Sequence, residues 1–195
     1  MLANADKAVF LWINGLAGRA PAVDFFMAWV ASDYLVPVGM GLTLVTLWFI
    51  GRDGPERMRY QIGMFTALTA MALSSLVVFI CNALFFRLRP FDGLDGVNLL
   101  FYQPTDSSFP SNSAAVAFGI AAGVWCVNRR LGTALFVAAG VYGFSRVFVG
   151  VHYPADILGS VVIALVVTAL TLRLRDLLMP VLVWVIKAAR LIAVA

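Results

Sequence analysis

The chain has 195 residues, of which 62% are hydrophobic and only 12% charged, with a mean hydropathy of +0.93 and a formal net charge of +4. A soluble domain of this size cannot hide so much apolar surface, so the composition selects an integral membrane protein. The modest charge, without a basic stripe or long charge run, excludes a nucleic-acid surface and reads as loop arginines.

Residues 3–20 carry the apolar run Ala8-Val9-Phe10-Leu11-Trp12-Ile13 between Lys7 and Asn14. That run is too short to span a bilayer and suits a helix lying in the interface. No basic region, apolar core and small-residue cleavage site marks a signal peptide. Pro21 to Ala31 is a second short apolar piece, containing Asp24 and followed by Ser32-Asp33; it either lies in the interface or leads directly into the next helix. Tyr34–Ile50 is the first candidate span, and Gln61–Phe86 the second, long enough to tilt. A polar connection from Arg87 to Ser111 follows, and loops of that length in compact domains are usually functional or disordered. Asn112–Val127, rich in Ala and Gly and suited to close helix packing, is the third span. Gly132–Val149 and Ala155–Leu172 are the fourth and fifth. The tail Met179–Ala195 is apolar but interrupted by Lys187 and Arg190, which favours an interfacial helix over a sixth span. No repeat or low-complexity tract divides the chain. The expected fold is one domain over residues 1–195: an all-α integral membrane bundle of five to six transmembrane helices with an N-terminal interfacial helix.

Orientation follows from the basic residues. Arg52, Arg57 and Arg59 follow span one, Arg129 and Arg130 follow span three, and Arg173 and Arg175 follow span five. These ends share one side, expected to be the cytoplasm. The opposite side holds the Arg87–Ser111 loop and the Gly150–Pro154 turn, which must meet on one face because two spans separate them. Arg87, Arg89 and Arg146 break the positive-inside trend there, and basic residues on the wrong side call for an anionic partner. Cys81 and Cys126 fall near opposite ends of the bundle, too far apart for a disulfide, and read as small buried hydrophobes.

Three polar stretches converge on that outer face. One is Phe85-Phe86-Arg87-Leu88-Arg89-Pro90-Phe91. A second, Ser107-Ser108-Phe109-Pro110-Ser111-Asn112-Ser113, opens span three; a helix N-terminus offers free N–H groups and a positive dipole end to an anion, and serine is a strong N-cap. The third is Ser145 to Asp156, which contains His152, the only histidine. A neutral imidazole beside a carboxylate can be a nucleophile or a proton carrier, and an arginine clamps phosphate oxygens. One histidine and scattered acids make no metal-ligand set, so neither a metal nor another cofactor is expected.

Together these stretches resemble the type-2 phosphatidic acid phosphatase superfamily, whose pattern is Lys-x6-Arg-Pro, then Pro-Ser-x-His, then Ser-Arg-x5-His-x3-Asp. Ser145, Arg146, His152 and Asp156 match the third motif in full, beside Arg89-Pro90 and Pro110-Ser111. Within that superfamily the chain is most similar to the short bacterial undecaprenyl-diphosphate phosphatases of bacitracin resistance. It shares their size, the Arg-Pro-Phe, the Ser-Phe-Pro-Ser and the His-Tyr-Pro-x-Asp. The resemblance implies a lipid phosphatase in the bacterial inner membrane, with its site facing the periplasm or exterior and a polyprenyl diphosphate as substrate, recycling the cell-wall lipid carrier. It further implies that His152 attacks phosphorus to form a phosphohistidine and that Asp156, one turn along, holds the other ring nitrogen. Arg89, Arg146, Ser145, Ser111 and the amides near Asn112 would bind phosphate. Two positions depart from the pattern. The superfamily lysine is Asn82 here, which with Arg87 forms a candidate auxiliary pair, and the histidine of Pro-Ser-x-His is Ser113. That histidine gives the leaving group its proton, which serine cannot do near neutral pH. A diphosphate expels a phosphomonoester whose last pKa is about 6, so it tolerates the change better than a monoester expelling an alkoxide. Another lipid phosphatase, acting on phosphatidylglycerol phosphate or a sugar-lipid phosphate, and a weakened lipid-phosphate binder or transporter are the rival readings. Oligomeric state stays open.

Overall fold

The computed structural model describes residues 2–193, and among them it contains eight helices and no strand. They are α1 (Leu2–Asn14), α2 (Pro21–Ala31), α3 (Leu35–Phe49), α4 (Gly54–Leu84), the short α5 (Pro90–Gly93), α6 (Asn112–Trp125), α7 (Arg129–Phe148) and α8 (Pro154–Ala193). Local chemistry sets several of the starts. Asp53 accepts from the Glu56 amide at α4, Ser111 from the Ala114 amide at α6, and Asn128 from the Leu131 amide at α7. Each satisfies a donor that the first helical turn leaves open. Pro21, Pro55, Pro90 and Pro154 occupy first turns, where a missing N–H costs nothing.

Helix α6 is the axis of the bundle, packing against α4, α7 and α8. Ten of its 14 residues are buried, most of them Ala or Gly. Lipid tails are as apolar as leucine, so helices in a bilayer associate through close packing rather than hydrophobic burial, and small residues permit the approach. Gly123 shows how close it is: a Cβ there would lie 2.4 Å from Ala67 Cα on α4. The outward side chains are large and apolar, with Phe79 71% and Leu170 63% exposed, the surface that hydrocarbon covers.

The all-helical membrane fold agrees with the sequence, but the division into spans differs. Three segments are long and apolar enough to cross a bilayer: Gly54–Leu84, Arg129–Phe148 and Pro154–Arg175. A fourth is available if α2 and α3, bent by 45° at a short break, count as one broken span. The expected third span, Asn112–Val127, is a 14-residue helix of about 21 Å, short of a hydrocarbon core of about 30 Å. Its first turn lies in the polar site, so its length was spent on chemistry. The expected interfacial tail is not a separate helix. It continues α8 through Pro180, where the ring removes one backbone hydrogen bond without ending the helix. Its last residues, Val194 and Ala195, lie outside the described residues. Helix α1 is short, as expected, with Trp12 exposed and Phe10 and Ile13 packed inward. The cysteines are a correction: Cys81 is half-buried and Cys126 exposed at the end of α6, on the apolar outer surface where neither needs a core.

Candidate functional site

The polar loop and the α7–α8 turn are tied together before any reactive group is placed. The buried Asn14 amide of α1 donates to Asn98 O at 2.9 Å and Phe148 O at 2.8 Å, while its oxygen accepts from Asn98 N. Leu100 N donates to Val149 O. Gly150, at φ +91°, then turns the chain, a conformation that favours glycine. Two residues later comes His152.

His152 is buried, with 2% of its side chain exposed. Its Nδ1 lies 3.0 Å from the Ser108 carbonyl oxygen. A carbonyl only accepts, so Nδ1 carries the hydrogen and Nε2 presents a lone pair. Nε2 faces the Ser111 hydroxyl at 3.1 Å and Arg89 Nη1 at 3.3 Å. Burial pushes the imidazole pKa below its ordinary value, and the neighbouring Arg89 and Arg146 charges push the same way; Asp156 opposes them without winning. The ring is therefore neutral at physiological pH, the form a nucleophile requires.

Arg89 is held on three sides, donating from Nε to Asp106 O, from Nη1 to Val151 O and from Nη2 to the Asp106 carboxylate at 2.7 Å. Ser111 caps α6 and also reaches the Ser113 hydroxyl at 3.2 Å. Arg146, near the end of α7, donates to Ala31 O and to Asp33 Oδ1, and its Nε is a buried donor without a partner. Arg89, Arg146 and His152 line a cavity of about 310 Å³ together with Asn112, Ser113 and Tyr142, while Ser111 is fully buried and outside that lining. The first turn of α6 opens into the same space, as expected of a helix N-terminus in an anion site. An adjoining cavity of about 420 Å³ shares Asp106 and Asn112 with it and runs along α4 past Asn82 to Phe79.

Three expected site residues are placed differently. Asp156 is not the sole partner of the second ring nitrogen. His152 precedes α8 in a non-helical segment, and Ser108 O takes the Nδ1 hydrogen at 3.0 Å while Asp156 Oδ2 stands beside the same nitrogen at 3.6 Å as an ion-pair neighbour. The Asp156 carboxylate accepts instead from Ser108 Oγ, Tyr153 N and Arg87 Nη1. Ser145 does not line the cavity, because its hydroxyl turns back to Tyr142 O one helical turn earlier at 2.7 Å. Arg87 also points away from the cavity, bridging Asp6 and Asp156. Asn82 lines the adjoining cavity, and its Oδ1 is buried without a partner. Among the described residues no three His, Cys, Asp or Glu side chains gather as a metal-ligand group.

Several site residues carried no sequence signal. Asp33 receives hydrogen bonds from Tyr102, Tyr142 and Arg146, and Tyr142 lies within hydrogen-bonding reach of Ser113. Asp106 meets Arg89 from within the long loop. Each is a common residue type in a connection or on an apolar helix, and only proximity to an arginine distinguishes it. The polar breaks at Ser32-Asp33 and in the 87–111 loop were the nearest available hints.

Comparison with known proteins identifies the family. The PAP2 superfamily pattern matches residues 63–180. The chain is 31% identical to the undecaprenyl-diphosphatase BcrC of Bacillus subtilis, over 88% of this chain and 85% of that one. It is 32% identical to the putative undecaprenyl-diphosphatase YbjG of Escherichia coli, over 85% and 80%. Its fold is similar to the crystal structure of LpxE from Aquifex aeolicus, with a TM-score of 0.66 and 26% identity, covering 85% of this chain and 93% of that one.

Proposed function

Because the chain belongs to the PAP2 superfamily of lipid phosphatases, we propose that it hydrolyses a polyprenyl diphosphate to the monophosphate and inorganic phosphate through a phosphohistidine. The observation that carries the reading is the His152 tautomer: Nδ1–H donates to Ser108 O, which leaves the Nε2 lone pair between Ser111 and Arg89 at the cavity wall. Nε2 attacks the terminal phosphorus, and the bond to the bridging oxygen breaks with its electron pair, releasing the lipid monophosphate. Water then attacks the phosphorus, the N–P bond breaks, and neutral imidazole and inorganic phosphate result.

Arg89, Ser111, the first amides of α6 and the unpartnered Nε of Arg146 supply donors to the three equatorial oxygens, where charge accumulates. Asp156 faces the ring as it becomes positive. Ser113 stands on the leaving-group side as a weak donor, sufficient for a phosphomonoester that leaves with little need of a proton. The adjoining cavity, polar at Asn82 and Asn112 and apolar at Phe79, suits a retained phosphate followed by hydrocarbon. BcrC and YbjG carry the undecaprenyl-diphosphate substrate in their names. A site on the outer face of the inner membrane is part of the same proposal.

Purified protein in detergent, given matched polyprenyl diphosphate, phosphatidylglycerol phosphate and a sugar-lipid phosphate, should release phosphate fastest from the first. His152→Ala should fold, insert and release none. Alkaline quenching during turnover should trap a base-stable, acid-labile phosphoprotein in the parent chain only. Parental turnover in His152→Ala would end the phosphohistidine reading.

A further inference from the structure

We propose that Asp6, on the N-terminal helix, is a positioning residue of this site, acting through Arg87 on Asp156 and through Asp156 on His152. This rests on the reading of His152 as the group that takes the phosphoryl. Asp6 Oδ2 accepts from Arg87 Nη2 at 2.6 Å, and Asp6 Oδ1 accepts from Ala155 N at 2.9 Å, one residue before Asp156. Arg87 Nη1 donates to Asp156 Oδ1, also at 2.6 Å, and the guanidinium lies 4.1 Å over the Tyr153 ring. Asp156 is fully buried, and Asp6 and Arg87 are 9% and 30% exposed. One guanidinium is thus shared between two carboxylates, and only one of these faces the histidine.

The charge count gives the arrangement its purpose. Asp6, Arg87 and Asp156 together carry −1, which matches the +1 that the ring acquires when Nε2 is phosphorylated. Without Asp6 the set is neutral, Arg87 settles wholly on Asp156, and the carboxylate opposite Nδ1 is already compensated. An opposite charge within about 6 Å favours the charged form of its neighbour, and so does a net charge just behind it. Other charged or titratable groups around His152 are Arg89 beside α5, Arg146 and Tyr142 on α7, Tyr153 beside the turn, and Asp33, Tyr102 and Asp106 across the cavity. Tyr153 also feels the Asp6 charge, and Asp6 holds the Ala155 amide as well, so the ring titration is what separates the Arg87 route from these contacts.

His152 being the only histidine, its imidazole can be followed directly in isotope-labelled protein carrying a histidine-free tag, in nanodiscs. Asp6→Asn should lower the titration midpoint of the ring, because it removes a negative charge. Arg87→Gln should raise it, and the double variant, again at −1, should return close to the parent. In parallel, Asp6→Asn should cost roughly tenfold in kcat, a typical loss when a partner behind a functional side chain is removed, with KM within twofold. Midpoints that move the same way in both single variants, or a kcat loss with an unmoved midpoint, would overturn the relay and leave Asp6 a purely structural tie. If Asp6→Asn does not fold, Arg87→Gln decides alone, since its midpoint must rise. The titration needs no turnover, so it decides the relay even if the diphosphatase reading fails.

Discussion

Restoring histidine at position 113 tests how far the leaving group governs this site. Ser113 is the second residue of α6, lines the 310 Å³ cavity with His152, and touches Ser111 Oγ at 3.2 Å. An imidazole there reaches into the cavity close to Tyr142, which in turn meets Asp33. A helix N-terminus disfavours imidazolium, but a bound phosphate and Asp33 offset it. A general acid is worth roughly 10²–10⁴-fold, or about 3–5 kcal/mol of barrier, where the leaving oxygen needs a proton. That full gain is expected for Ser113→His on a polyprenyl monophosphate, which expels an alkoxide. On the matched diphosphate, whose leaving phosphate has a pKa of about 6, the gain should fall to about tenfold or less. Steady-state phosphate release from the two lipids, by parent and variant, measures both numbers. Equal gains, or no gain on the monophosphate in a folded variant, would refute the leaving-group argument and leave Ser113 a helix-start residue.

The remaining expectations concern protonation, packing and topology. Turnover should disappear as pH falls through a midpoint below 6.5, because burial lowers the His152 pKa and only the neutral ring attacks; rate profiles between pH 4 and 8 check it. The same group binds more protons unfolded than folded, so its contribution to stability is complete above pH 6.5 and declines below it, as thermal melts across that window should record. Gly123→Ala should destabilise by about 1–3 kcal/mol in detergent unfolding, since its Cβ would press on the Cα, Cβ and N of Ala67, none of which can swing aside, while Gly39→Ala, where nothing lies within 4 Å, should not. Cysteines at Asp95 and Arg130, in a chain lacking Cys81 and Cys126, should label from opposite sides of sealed vesicles with an impermeant thiol reagent. Labelling from one side would overturn the orientation argued from the arginines.

Composition and hydropathy were enough to read the bilayer as solvent and the fold as helical, and the motifs were enough to read the family. Hydropathy is a local quantity, so apolar stretches declared themselves, and α2 was read to its first and last residue because Pro21 opens it and Ser32-Asp33 closes it. Spacing is local too: α6 and α7, running in opposite directions between the Arg87–Ser111 loop and the His152 turn, return the chain to one face, where Arg89 and Ser111 lie within 3.3 Å of the His152 ring nitrogen. Span lengths were less legible, because where apolar helix gives way to polar site depends on the neighbours, and the first turn of α6 lines a polar cavity with Arg89 and His152. What only the tertiary structure decided were the partners. Hydrogen-bonding to Nδ1 went to the Ser108 carbonyl rather than Asp156, since the turn before α8 breaks the helical register that the spacing assumed. Asp6 and Asp33 are ordinary surface aspartates in the sequence, 81 and 113 positions from the arginines they hold. A carboxylate's role is set by the charge within a few ångströms of it, and no local pattern records which distant charge that will be.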